Sequence, residues 1–124
     1  MSDIRVEISK EFEISCSHIL PWHKGKCSRL HGHNYRIIVF ASSPDGKQPL
    51  DSNGIVMDFG DITDLFKKEI DEKYDHRHLN DFFENPTAEM LAWNWLRDLN
   101  AIDERICAIR VYETAKCSAE ARIR

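Results

Sequence analysis

Ile4-Arg5-Val6-Glu7-Ile8-Ser9-Lys10-Glu11-Phe12-Glu13-Ile14-Ser15-Cys16-Ser17-His18 is the stretch that decides the architecture. Its even positions are mostly apolar (Ile4, Val6, Ile8, Phe12, Ile14, Cys16), and its odd positions carry Arg5, Glu7, Glu11 and Glu13. A period of two is that of a strand with one buried and one wet face. His18 keeps the even phase, so its imidazole is expected on the inner side at the strand's end.

Working outward, a loop marked by Pro21 and Gly25 leads to a second strand, about His31 to Ala41. Tyr35, Ile37 and Val39 share one phase there, and His31 and His33 share it with them. Pro44-Asp45-Gly46 reads as a turn, and Gly54-Ile55-Val56-Met57 as an extended piece before a helix. That helix is expected from about Phe59 to Tyr74, with Ile62, Leu65, Phe66 and Ile70 at helical spacing and Asp58 or Asp61 as the cap. A second helix starts near Asn85-Pro86-Thr87 and runs to about Asn100, with Ala88, Leu91, Ala92, Trp95, Leu96 and Leu99 as its apolar stripe. Strands about Arg105 to Thr114 (Cys107, Ile109 and Val111 in phase) and Ala119 to Ile123 follow. Strands, two helices, then strands predicts an α+β domain: an antiparallel four-stranded sheet with both helices on one face.

At 124 residues the chain has room for one domain, residues 1–124, with 42% hydrophobic and 31% charged residues. It has no apolar run of spanning length and no basic start followed by an apolar block, so the expected location is cytoplasmic, with no membrane partner. With 17 basic and 21 acidic residues and no long basic run, it is not built for general nucleic-acid binding. Cys16, Cys27, Cys107 and Cys117 contain no CxxC pair, and disulfides are not expected in a reducing compartment. A chain this short leaves much of its surface exposed, so self-association would help it and would wall a pocket that one subunit cannot enclose.

The sharpest chemistry lies in His18, His31 and His33. An HxH pair on a strand sets two imidazoles on one face, roughly 7 Å apart along the backbone. A third histidine at the end of a neighbouring strand can complete three corners of a tetrahedron, the ligand count of a zinc site that keeps one corner open. HxH pairs also arise on strands without a metal.

Cys27 lies four residues before His31. A thiol beside a metal and cationic groups becomes a usable base, a fourth ligand, or stays an inert loop thiol. Asp75-His76 follows the first helix; the acid can orient the ring only in a loop, because adjacent side chains diverge on a helix. Otherwise the pair belongs to a solvated charged cluster. Glu113 keeps the phase of Val111, so a carboxylate points to the buried side. It is either past the core's edge in water or met by a ligand with two adjacent N–H groups. Glu89 reads as a helix-start charge. Lys24, Lys26 and Arg29 form a basic loop that could hold phosphates or simply face solvent. No GxxxxGK[ST], GxGxxG, HExxH or GxSxG pattern is present.

Taken together, Cys27-Ser28-Arg29-Leu30-His31-Gly32-His33-Asn34-Tyr35, Asp58-Phe59, Asp75-His76-Arg77-His78-Leu79-Asn80, Asn85-Pro86-Thr87-Ala88-Glu89 and Tyr112-Glu113-Thr114 resemble the 6-pyruvoyl-tetrahydropterin synthase family. The motifs run in order from about Phe12 to Thr114. The CxxxHGH spacing is similar to the bacterial branch that makes 6-carboxy-5,6,7,8-tetrahydropterin in queuosine biosynthesis. Met90 stands where the family often has asparagine.

The resemblance implies a tunnelling fold, with subunits joining their sheets into a barrel as trimers that stack into hexamers, and active sites between subunits. It implies Zn²⁺ on His18, His31 and His33, Cys27 as general base, and His76 oriented by Asp75 as proton relay. Glu113, with Glu89 and Thr114, would hold the pterin. The implied reaction turns 7,8-dihydroneopterin triphosphate into 6-carboxytetrahydropterin, acetaldehyde and triphosphate. Two other readings stay open: a 6-pyruvoyl-tetrahydropterin synthase, which keeps the three-carbon side chain, and a non-catalytic zinc- or pterin-binding oligomer.

Overall fold

The computed structural model describes residues 3–124. Strand β1 (Glu7–His18) pairs antiparallel with β2 (His31–Ser42) along its full length, Glu7 opposite Ser42 and His18 opposite His31. Helix α1 (Phe59–Phe66) starts at Asp58, whose side chain accepts from the Gly60 N–H. It continues through a π-helical turn at Lys67–Asp71 to a last turn at Glu72–Tyr74, the expected extent. Helix α2 (Ala88–Ile102) is capped by Thr87, whose hydroxyl accepts from the Met90 N–H. It ends two residues beyond the expected Asn100. Strands β4 (Ile106–Thr114) and β5 (Cys117–Arg122) close the chain as an antiparallel pair.

The sheet departs from the expected four antiparallel strands. Arg77–His78 form a short β3 parallel to β1, which makes five strands in the order β3-β1-β2-β4-β5 and a mixed sheet. Two residues carry no periodicity, so this strand has no sequence signature. Its cause is local: the Ser15 N–H donates to Asp75 Oδ1 and the His76 N–H donates to the Ser15 carbonyl, which lays the next two residues along β1.

The strand phases hold on the buried face. Ile14, Tyr35, Ile37, Val39, Ile109 and Val111 point to one side and pack against Ile62, Phe66 and Ile70 of the first helix and Leu91, Trp95 and Leu99 of the second. Both helices therefore cover one face of the sheet, as the α+β reading requires. Cys107 is the exception. The pairing of β2 with β4 shifts between Phe40 and Ala41, so Ile106, opposite Ala41, turns inward in place of Cys107. The Cys107 thiol turns to the other face, 3.6 Å from the Glu7 carboxylate. A bulge adds one residue and reverses the phase that simple alternation predicts. Among the described residues, no helix is long and apolar enough to cross a membrane.

Candidate active site

Strand register brings the three histidines together. His18 lies opposite His31, and His33 lies opposite Cys16, so all three rings share the helix-covered side at one end of the β1–β2 pair. Ring centroids are 4.4 Å apart for His18 and His31, 5.0 Å for His18 and His33, and 4.9 Å for His31 and His33. One nitrogen from each ring lies within 4.8 Å of the others.

The backbone decides which nitrogens are free. His18 Nδ1 is 2.8 Å from the Pro86 carbonyl and His31 Nδ1 is 2.6 Å from the Arg29 carbonyl. A carbonyl can only accept, so both Nδ1 atoms carry the proton and donate it. Both Nε2 atoms then present lone pairs, and they face each other at 2.7 Å. His33 Nε2 is buried with no hydrogen-bond partner. Burial holds the pKa of His18 below the usual imidazole value, against the opposing pull of the Pro86 carbonyl and Glu113. It does the same for His33, where Glu113 opposes and the neighbouring rings add to it. Three imidazoles with converging nitrogens are the donor set of an open three-histidine metal site, and a cation relieves both the facing nitrogens and the orphaned one.

Glu113 stands beside this cluster, its Oε1 3.8 Å from His18 Nε2 and its side chain 25% exposed. Pairing between β4 and β5 shifts between Tyr112 and Thr114, so Glu113 is the unpaired extra residue of a bulge. Bulges re-aim side chains next to functional sites. Thr114 is exposed, and its hydroxyl oxygen accepts from the Lys116 and Cys117 N–H groups, shaping the β4–β5 turn. Glu89 is exposed in the first turn of α2, on the flank facing β5. Buried Tyr35 closes the floor of the cluster with its hydroxyl 3.2 Å from His18 Nδ1.

Cys27 is half-buried on a single 3-10 turn, Lys26–Ser28. The Leu20 N–H donates to its carbonyl at 2.8 Å, folding the loop back to within two residues of His18. Among the described residues, the metal-competent group comprises the three histidines without a cysteine. Lys24, Lys26 and Arg29 are exposed on the same loop.

Asp75 and His76 have the loop geometry their pairing requires. Asp75 is extended (φ −62°, ψ 132°) and His76 has a φ of +60°, which turns its Nδ1 to 2.9 Å from Asp75 Oδ2. The Ser15 N–H, followed by His76, holds the Asp75 carboxyl below the usual carboxylate range. This dyad is not gathered with the histidines. His76 lines a cleft of about 390 Å³ with Ser15, Ser17, Gly32 and Asn34, which lie in the outward phase of β1 and β2, and with Cys16, His33 and Arg77. Within one chain the dyad therefore approaches from the outward face of β1 and β2 and meets the histidine cluster through His33.

The carbonyls of Pro86 and Arg29 escape sequence reasoning, because a main-chain acceptor has no residue signature. The signal available was positional: Pro86 lies inside the Asn85-Pro86-Thr87 helix start.

Known proteins resemble the chain over nearly its whole length. The 6-carboxy-5,6,7,8-tetrahydropterin synthase of Synechocystis sp. is 36% identical over 118 residues, covering 93% of this chain and 90% of that protein. The protein of the same name from Rickettsia conorii is 28% identical over 140 residues, covering 93% and 99%. The solved structure of Caenorhabditis elegans 6-pyruvoyl tetrahydropterin synthase superposes with a TM-score of 0.80 at 22% identity, over 96% of each chain. The Plasmodium falciparum 6-pyruvoyl tetrahydropterin synthase gives 0.70 at 18% identity, over 95% of this chain and 98% of that one; both likenesses show the shared fold. A family profile, 6-pyruvoyl tetrahydropterin synthase, matches residues 7–124, a span that takes in all three histidines, the Cys27 loop and Glu113. The chain belongs to the 6-pyruvoyl tetrahydropterin synthase family.

Proposed function

We propose that this chain is a zinc-dependent 6-carboxy-5,6,7,8-tetrahydropterin synthase, a carbon–carbon lyase acting on 7,8-dihydroneopterin triphosphate in queuosine biosynthesis. The observation that carries the reading is the convergence of three imidazoles on one point, with a bulged carboxylate beside them. Relatives bearing that enzyme's name support the choice of product.

Zinc held by His18, His31 and His33 would supply Lewis acidity toward the hydroxyls of the substrate side chain. Cys27, on the loop folded back beside the site, takes the side-chain proton as general base. His76, its ring held by the Asp75 carboxylate, returns or relays protons. Glu113 accepts two parallel hydrogen bonds from the pyrimidine edge of the pterin, with Glu89 and Thr114 as lesser contacts. The basic loop carrying Lys24, Lys26 and Arg29 suits the triphosphate. The redox change is internal to the substrate, so no nucleotide cofactor enters.

The separation of His76 from the histidine cluster supports an active site shared between subunits. N-terminal to Ser15, the outer edge of β1 pairs with no other strand among the described residues, and β5 is the opposite edge of the sheet. Open edges at both ends are what a barrel closed by three copies would pair, with two trimers stacking as a hexamer. The chain then acts as one domain, residues 1–124, in the cytoplasm.

The deciding experiment is incubation of the zinc-loaded protein with 7,8-dihydroneopterin triphosphate. Release of acetaldehyde together with 6-carboxytetrahydropterin is expected. A pterin product that keeps all three side-chain carbons would reassign the chain to the pyruvoyl branch, and no product at all would leave a zinc- or pterin-binding oligomer.

A further inference from the structure

His18 is wholly buried, yet it is the last residue of β1, where a strand would ordinarily fray. The parallel ladder from β3 stops one residue short of it, at Ser17 opposite His78. Past that point Asn80 takes over. Its Oδ1 accepts from the Ile19 N–H at 2.8 Å, and its Nδ2 donates to the Ile19 carbonyl at 2.9 Å. The side-chain amide thus pairs with one residue as the next rung of a strand would, and the chemistry of the two Ile19 groups fixes which way round the amide lies.

The amide is itself well anchored. It lies on a 3-10 turn, Leu79–Asp81, whose Leu79 is fully buried and whose carbonyl accepts from both Phe82 and Phe83 N–H groups. Ile19 is bonded directly to His18, so its peptide sets the direction from which that ring reaches the cluster.

We propose that Asn80 is a positioning residue for the metal site: by clamping the Ile19 peptide it fixes the backbone of His18 and so the aim of His18 Nε2. The proposal rests on the reading that the three histidines hold a metal. Asn80 touches neither metal nor substrate. The role needs an acceptor and a donor side by side, which leucine, serine or an aspartate cannot offer in this geometry. Partners behind a metal ligand commonly change metal affinity by about 10- to 100-fold when removed.

The test is zinc affinity of the full-length chain, measured by competition with a chromophoric chelator, with the visible spectrum of the Co²⁺-loaded protein as a second readout. Asn80→Ala is expected to weaken zinc binding by about 100-fold and to shift the Co²⁺ bands. Asn80→Asp, which keeps only the acceptor, is expected to weaken it by about 10-fold, and it decides alone if the alanine variant does not fold. Asn100→Ala is the control, because it removes a hydrogen bond to the Ile106 carbonyl between α2 and β4, away from the site. It is expected to lose stability while keeping wild-type affinity and spectrum. Wild-type affinity and spectrum in both Asn80 variants would overturn the role of Asn80 alone, as would an equal loss in Asn100→Ala. A wild-type chain that binds neither zinc nor cobalt would overturn the site reading and this proposal with it.

Discussion

His18 Nε2 and His31 Nε2 lie 2.7 Å apart, and because each ring's Nδ1 donates its hydrogen to a carbonyl, the neutral rings turn bare lone pairs toward each other. Two lone pairs at that distance repel, so the folded chain holds an electrostatic cost that a cation removes. Zinc is therefore expected to stabilise the protein as well as to activate it. At 100 times its dissociation constant a ligand specific for the native state adds about 2.7 kcal/mol. For a domain of this size that corresponds to a rise in Tm on the order of 10 °C. Thermal unfolding with a chelator and then with restored zinc checks this; a Tm indifferent to both would remove the metal from the site.

Cys27 is close to the cluster in the chain but is not one of the groups that converge on it. Cys27→Ala is therefore expected to bind zinc normally and to lose turnover by about 10²- to 10⁴-fold, the usual worth of a positioned general base. Zinc content and steady-state rate on the same preparation separate the roles: lost metal would make the thiol a ligand, and full turnover would make it an inert loop residue.

The histidine site was legible in the sequence because strand periodicity is a strong constraint. His18 in the even phase of one strand and His31 and His33 in the odd phase of the next can only share a face if the strands pair in register, and they do. What the sequence could not reveal depends on groups without side-chain identity or on single-residue shifts. Strand β3 is two residues of main-chain ladder, and the supports of His18 and His31 include two backbone carbonyls. The bulge at β2–β4 turns Cys107 away from the face its phase predicts. The bulge at Glu113 did not mislead, because the residue lies at the strand's end, where the turn absorbs the extra length.

Among the described residues no lysine or arginine pairs with half-buried Glu113; His18, its neighbour at 3.8 Å, has its pKa lowered by burial. A carboxylate so placed is suited to a ligand bearing two donors. Glu113→Gln exchanges one of its acceptor oxygens for a donor and is expected to weaken pterin binding by about 2–5 kcal/mol. Calorimetric titration with a pterin reads this directly, and unchanged affinity would assign the carboxylate to solvent.

His76 adopts a φ of +60° with an exposed ring, a conformation that suits glycine better than a side chain. His76→Gly is expected to keep or raise stability, by up to about 1 kcal/mol, while turnover falls by about 10²-fold or more. Stability held against function in this way is the mark of backbone strain kept for a task. Urea unfolding and a rate assay on the variant check both halves; a destabilised, active variant would contradict the assignment.

Asp75 contributes an acid-side pH dependence to stability. Its native pKa is depressed, first by the Ser15 N–H and then by His76, below an unfolded value of about 3.9. A depressed carboxyl contributes stability that is fully present above the unfolded pKa and is lost as pH falls through the lower native value. Asp75→Asn keeps an oxygen for the Ser15 N–H but not the charge, so at pH 7 it is expected to unfold more easily, by about 1 kcal/mol given its partial exposure. The gap between the two proteins is expected to shrink from about pH 4 downward, as the unfolded wild-type chain takes up the proton before the native carboxyl does. Urea unfolding at pH 7 and at pH 3 measures it. A difference that stayed constant across that range would mean that the Asp75 charge contributes nothing to holding β1, β3 and His76 together.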